Sequence, residues 1–168
     1  MTSQLAELRK IPHWSFSSLN RFINICSLQW AFQYVYKVER ERTSVHLPFG
    51  KAFHETATWI AKGRMNSCYH SCENAKEMFT ESWKSACGNA KLFPKNKVDF
   101  EALVETGRKM IECLNRQWLE DDILNVNKAF IVRLPGASKP LIGEIDLIVR
   151  DEHGETVLVD WKTAGRKW

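Results

Sequence analysis

Apolar positions along the first two thirds of the chain recur every three or four residues. In the last third they close up into short runs of Ile, Val and Leu. That change of period predicts helices first and strands after them. Residues 1–13 show little pattern and read as a flexible leader. With Ser15 or Ser17 as N-cap, Leu19, Phe22, Ile23, Cys26, Trp30 and Tyr34 lie on one stripe, predicting an amphipathic helix to about Lys37. Its aromatic residues read as core. Glu39 to Ser44 is a charged linker, and Pro48 opens a second helix that runs from Phe49 to Lys62 and is closed by Gly63. Residues 70–87 predict a third helix, with Ala75, Met78, Phe79 and Trp83 on its stripe and Gly88 at its end. A basic loop with Lys91, Lys95 and Lys97 follows. Asp99 caps a fourth helix to about Glu120, with Leu103, Met110, Leu114 and Trp118 apolar. Arg108 and Lys109 fall on its exposed side. The strands come last: residues 127–134, a turn over 135–140, and two further runs.

Those two runs carry the candidate chemistry. Gly143-Glu-Ile-Asp-Leu-Ile-Val-Arg150 and Glu155-Thr-Val-Leu-Val-Asp-Trp-Lys-Thr163 flank Asp151-Glu-His-Gly154, a polar connection ending in Gly. An antiparallel hairpin is predicted. Asp146 stands in the middle of the first strand; Asp160 and Lys162, two apart, share a face near the end of the second. Two carboxylates and an ammonium on an apolar sheet are either paired or bound to a metal. An Asp-x-Lys tripeptide alone is commonly a surface ion pair. Asp146 inside Leu-Ile-Gly-Glu-Ile-Asp-Leu-Ile-Val asks for a partner or an ion. Carboxylate oxygens suit Mg²⁺ or Mn²⁺, and a lysine beside such an ion could orient water or offset charge on a phosphate.

Gly143-Glu-Ile-Asp146, a hairpin and Val159-Asp-Trp-Lys-Thr163 together resemble the PD-(D/E)XK nuclease superfamily, in its RecB-like exonuclease branch, to which CRISPR-associated nucleases also belong. Ser17-Ser-Leu-Asn-Arg-Phe-Ile-Asn-Ile-Cys-Ser-Leu-Gln-Trp-Ala-Phe-Gln-Tyr34 resembles the opening helix of that branch. Phe49-Gly-Lys-Ala-Phe-His-Glu55 resembles its Gly-x-x-x-His motif, and the four matches together cover residues 14–168. The resemblance implies an α/β, restriction-endonuclease-like core, with N-terminal helices packed on a mainly antiparallel sheet that carries the site. It implies a DNA nuclease dependent on Mg²⁺ or Mn²⁺ that hydrolyses phosphodiester bonds as an exonuclease in recombination, repair or phage replication. Asp146 and Asp160 would ligate the metal, His54 and the backbone carbonyl of Trp161 would complete its shell, and Lys162 would position or activate water. Glu144 shares the face of Asp146 and would assist; Glu55 points about 100° away from His54. Arg21 and Gln29 are polar candidates for facing a DNA strand. In the superfamily a Gln-x-x-x-Tyr helix and another strand follow Asp-x-Lys. Here Ala164-Gly-Arg-Lys-Trp168 follows Thr163, so the expectation is one nuclease domain over residues 1–168 lacking those elements. Some relatives bind a [4Fe–4S] cluster through a cysteine at the place of Cys26, with three more ligands beyond Asp-x-Lys; no cluster is expected in this chain.

Composition changes this picture little. A chain of 168 residues with 44% hydrophobic and 26% charged residues is of globular type and long enough to bury a core. A net charge of +4 permits a polyanionic partner without demanding one. No apolar run is long enough to span a membrane and no signal peptide is evident, so an intracellular, cytoplasmic place is expected. The five cysteines (26, 68, 72, 87 and 113) read as reduced thiols, several of them buried. Cys68-x-x-x-Cys72 lacks a second pair at zinc spacing. Two other classes stay open: a nuclease-fold DNA-binding module without catalysis, and a structural domain whose Asp-x-Lys is an ion pair. Other recombination or repair proteins are candidate partners.

Overall fold

The computed structural model describes residues 4–39, 42–88, 99–117 and 122–163. Helices precede strands, as the change of period predicts. They are α1 (Gln4–Leu8), α2 (Phe16–Asn20), α3 (Ser27–Trp30), α4 (His46–Met65), α5 (Cys72–Gly88) and α6 (Phe100–Gln117). The strands β1 (Asp122–Val132), β2 (Leu141–Arg150) and β3 (Thr156–Val159) form an antiparallel sheet in the order β1-β2-β3. Helices with such a sheet make an α/β, restriction-endonuclease-like fold. The chain divides into two compact units, residues 1–40 with 127–145 and residues 41–126 with 146–168. The basic loop at Lys91, Lys95 and Lys97, and Trp118 and Glu120 at the expected end of the fourth helix, lie outside the described residues.

The second unit holds the principal core. Ala52, Ala57, Ala61, Ala75, Phe79 and Ile111 from α4, α5 and α6 are fully buried, and Leu147 and Val149 of β2 join them. Phe49 meets Phe79 and Trp83 edge-on at 5.6 and 5.8 Å between ring centroids. Gly107 makes the approach of α6 possible, since a Cβ there would lie 2.0 Å from the Phe79 ring. Asp99 caps α6 as expected, its Oδ1 accepting from the Glu101 and Ala102 N–H groups at 3.0 Å. Between α5 and α6, Lys76 reaches Glu112 at 3.0 Å, and Arg116 also pairs with Glu112. The hydrogen bond from Lys76 holds the Glu112 carboxyl below its ordinary range, and the same bond holds the Lys76 ammonium above its own.

α4 begins earlier and ends later than its Pro48 and Gly63 markers suggest. Its end is closed by Ser67 at φ 57°, with the Cys68 N–H donating to the Gly63 carbonyl at 2.7 Å. Gly63 has a different use. The chain folds back so closely that a Cβ there would lie 2.5 Å from both the Cys68 carbonyl and the His70 ring, which stacks on Trp59 at 3.5 Å. None of the five thiols is fully buried; Cys26, Cys72 and Cys87 are half-buried, while Cys68 and Cys113 are exposed. Burial pushes the Cys87 thiol up.

In the first unit Trp14 bridges to Leu141, its N–H donating to the Pro140 carbonyl and its carbonyl accepting from Ile142, both at 2.9 Å. The single helix expected to Lys37 is broken. π-helical turns occupy Arg21–Ile25 and Ala31–Val35, and Cys26 between them is extended at φ −167°. Phe22, Ile23, Ile25, Phe32 and Val35 are weak helix formers, and Asn24 bonds sideways to Asn20 at 2.8 Å. The core reading of the stripe fails with it. Phe22 and Ile23 are 50% and 70% exposed, and Trp30 is only half-buried, its indole N–H donating to the Ser18 hydroxyl. β1 starts five residues before the expected strand because the polar Asn125 and Asn127 mask the pattern of Ile123 and Val126, which pack into the core. Asn127, a residue type that tolerates the left-handed region, sits there at φ 54°.

Two outcomes follow from this packing. Gly107→Ala gains helix propensity of about 1 kcal/mol, yet its methyl meets a rigid ring; a net loss of about 1–3 kcal/mol is expected in urea unfolding. Glu112 has a lowered pKa in the folded chain, so its contribution is present above the ordinary glutamate range and lost as pH falls through the lowered value. Glu112→Gln should therefore depress Tm at pH 7 and match the parent chain in strong acid. A difference that persists unchanged into acid would assign the effect to packing instead.

Candidate active site

The hairpin register sets Asp146 of β2 beside the segment that follows β3. Leu147 pairs with Val159, Ile148 with Leu158, Val149 with Val157 and Arg150 with Thr156, so the next step falls on Asp146 and Asp160. Asp151 builds the turn: its Oδ1 accepts from the His153 and Glu155 N–H groups at 3.0 and 2.8 Å, and Gly154 takes φ 80°. β3 ends at Val159, and Asp160 to Thr163 follow it outside regular structure. The strand alternation nevertheless persists. Trp161 is buried at 5% exposure, whereas Asp160 and Lys162 on either side are exposed.

Asp146 is the convergence point. Its side chain is only 16% exposed, and Oδ2 accepts from the Trp161 N–H at 2.9 Å. His54 of α4 brings Nδ1 to 3.6 Å from the same oxygen, and its ring stands edge-on to the Trp161 indole at 5.9 Å. Gly50, one turn earlier on α4, lies against the segment after β3, because a Cβ there would be 3.1 Å from the Thr163 hydroxyl. The Gly and His of Gly50-Lys-Ala-Phe-His54 therefore act together. The glycine admits the strand end, and the histidine reaches the carboxylate held there.

Two groups expected at the same point are turned elsewhere. Asp160 accepts from the Lys162 ammonium at 2.5 Å, with the two side chains 64% and 49% exposed. Among the described residues no group of three or more His, Cys, Asp and Glu side chains gathers as a metal site. His54 and Asp146 supply an imidazole nitrogen and a carboxylate oxygen, a donor set that suits Mn²⁺ and, through the carboxylate, Mg²⁺. The exposed Asp160 stands one register step away with only a surface lysine to release. The donor chemistry fits a divalent ion, and the side chains of Asp160 and Lys162 are paired with each other. Trp161 presents its N–H to Asp146, the opposite end of its backbone from the carbonyl expected as a ligand. Glu144 is half-buried in β2, and Glu55 pairs with Lys51 at 3.7 Å on the exposed side of α4.

Arg21 and Gln29, flagged by sequence, meet each other: Arg21 Nη1 donates to Gln29 Oε1 at 3.1 Å. Sequence reasoning passed over Thr163, whose only signal is its place after Asp-x-Lys, and it did not foresee the buried indole of Trp161 beneath the site.

Neither curated proteins nor solved structures gave a match to this chain. The family model of the PD-(D/E)XK nuclease superfamily matches residues 13–168, spanning both the Gly-x-x-x-His helix and the hairpin with Asp146, Asp160 and Lys162. The chain belongs to the PD-(D/E)XK nuclease superfamily.

Proposed function

We propose that the chain is a divalent-metal-dependent deoxyribonuclease of the RecB-like branch, acting as an exonuclease in recombination, repair or phage DNA processing. The observation that carries this reading is the convergence of His54 Nδ1 and the Trp161 N–H on one oxygen of Asp146, within a chain of nuclease family. His54, Asp146, Asp160 and the Trp161 carbonyl would hold Mg²⁺ or Mn²⁺, and the ion would supply Lewis-acid stabilisation of the phosphate. Asp146 enters this role already fixed by the backbone N–H, with little side-chain freedom left to lose. Lys162, now paired with Asp160, would orient the attacking water and balance charge on the phosphate oxygens.

A second reading draws on the Asp160–Lys162 pair, which engages both groups with each other. On that reading the chain is a DNA-binding module of nuclease fold without hydrolysis.

Incubation of end-labelled linear DNA with Mn²⁺, Mg²⁺ or EDTA separates the two. Metal-dependent loss of label, reduced about a hundredfold or more by Lys162→Ala, is the expected result. DNA bound by the chain but left intact with both metals supports the second reading. Thermal unfolding tests the ligands independently of cleavage. Mn²⁺ at about 100 times its Kd should stabilise the chain by about 2.7 kcal/mol, and the rise in Tm should vanish in Asp146→Asn. Equal shifts in both chains would remove Asp146 from the metal site.

A further inference from the structure

The N-terminal unit contains an open pocket of about 530 Å³ lined by Arg21, Gln29, Phe32, Gln33, Val38 and Glu39. We propose that this pocket seats an unpaired nucleobase, and that the exposed rings around it form a stacking platform for single-stranded nucleic acid.

Four observations on the N-terminal unit carry the assignment. The rings are presented rather than packed away: Phe32 is 48% exposed, Phe22 50% and Tyr36 67%. Phe32 and Tyr36 stand 6.0 Å apart between centroids, a second ring next to the one that lines the pocket. A helical stripe that was meant to enter a core would not remain this accessible, and base faces are the flat apolar surfaces that such rings take up. The second observation is charge. From residue 8 to residue 38 the sequence has no Asp or Glu, while Arg9, Lys10, Arg21 and Lys37 are basic. A nucleic-acid backbone is drawn to such a stretch. The third is Arg21. Its Nη1 is used on Gln29, but its Nε is buried with no hydrogen-bond partner among the described residues. A buried donor in that condition calls for an acceptor.

The fourth observation sets the kind of acceptor. Glu39 on the pocket wall opposes a phosphate, whereas a carboxylate, amides and a guanidinium together match the mixed donors and acceptors of a base's Watson–Crick edge. A paired base hides that edge and both its faces inside the duplex, so the pocket selects an unpaired one. Trp30 stacks on Tyr34 at 6.1 Å, meets Phe22 edge-on at 5.1 Å, and is tied to Ser18 by its indole N–H.

The proposal rests on the nuclease reading only for the choice of polymer. It is tested on the full chain in EDTA, where no cleavage enters the readout, by fluorescence anisotropy of a labelled 12-mer single strand and the matching duplex. Single strand should bind more tightly than duplex. Phe32→Ala should weaken it about tenfold, Phe32→Trp should preserve it, and Arg21→Ala should weaken it as well. Circular dichroism of each variant confirms that the helices persist. Duplex binding as tight as single-strand binding, or a Phe32→Ala variant that folds and binds like the parent, overturns the proposal. So does self-association that Phe32→Ala abolishes without any oligonucleotide bound, which assigns the face to a second copy of the chain. A protein that binds the single strand and never cuts removes the nuclease reading alone. One that cuts but binds without regard to Phe32 removes this inference alone.

Discussion

A carboxylate in the middle of an apolar strand is the constraint on which the second unit is built. Asp146 lies between Ile145 and Leu147, and Leu147 is fully buried. Strand alternation thus commits Asp146 to the opposite face, and a slip of one residue would drive its charge into the core. The hairpin prevents the slip. Asp151 fixes the turn, and the paired residues from Arg150–Thr156 to Leu147–Val159 follow in step. That register delivers the Trp161 N–H to the carboxylate. A hydrogen bond to a charged acceptor contributes about 1.5–3 kcal/mol net, and its loss would leave a half-buried charge with less compensation. The same geometry that makes Asp146 tolerable therefore makes it rigid.

Rigidity at Asp146 propagates into α4 by close approach rather than by long side chains. Gly50 lets the helix meet Thr163, and His54, one turn on, then reaches the carboxylate. Trp161 wedges its indole beneath, with Phe49 and Phe53 of α4 in the same core. Burying an aromatic ring of this size contributes about 2–3 kcal/mol. Asp160 and Lys162 flank Trp161 and pair with each other on the exposed side. Their exposure leaves them free to change partners, which Asp146 is not. The site thus combines one pre-set carboxylate with two adaptable charges.

What was legible in the sequence was local. The turn at 151–154 and the cap at Asp99 each depend on a few adjacent residues with specific backbone demands, and each stands where the pattern puts it. The His54–Asp146 approach spans most of the chain and could be anticipated only through motif resemblance. Gly63 misled because glycine has two uses. It closes helices by adopting left-handed backbone, and it admits close neighbours; here the second governs and Ser67 takes the first. β1 extends N-terminal to its apolar run because the tertiary core, not the local pattern with its two asparagines, decides the burial of Ile123 and Val126. Asp160 and Lys162, two residues apart on one face, form the ion pair that such spacing permits.

The N-terminal stripe is the instructive failure. Periodic apolar residues show that a segment has an apolar face; they do not show what covers it. Between residues 16 and 36 only Ser18, a polar residue, is fully buried, and the helix is interrupted at Cys26. A long helix draws most of its stability from packing its apolar face. Without that packing, a segment rich in β-branched and aromatic residues has little to keep its backbone in one register. The π turns and the extended Cys26 are then a local solution. The cross-turn bond from Trp30 to Ser18 and the ring cluster around Trp30 replace the missing core with contacts inside the segment itself. Such a segment is held firmly enough to present Phe32 and Arg21 in one place, yet leaves their outer faces bare. The recognition of a flexible polymer proposed for this segment suits that combination, whereas the role proposed for Asp146 suits the opposite, a carboxylate already held by a backbone N–H.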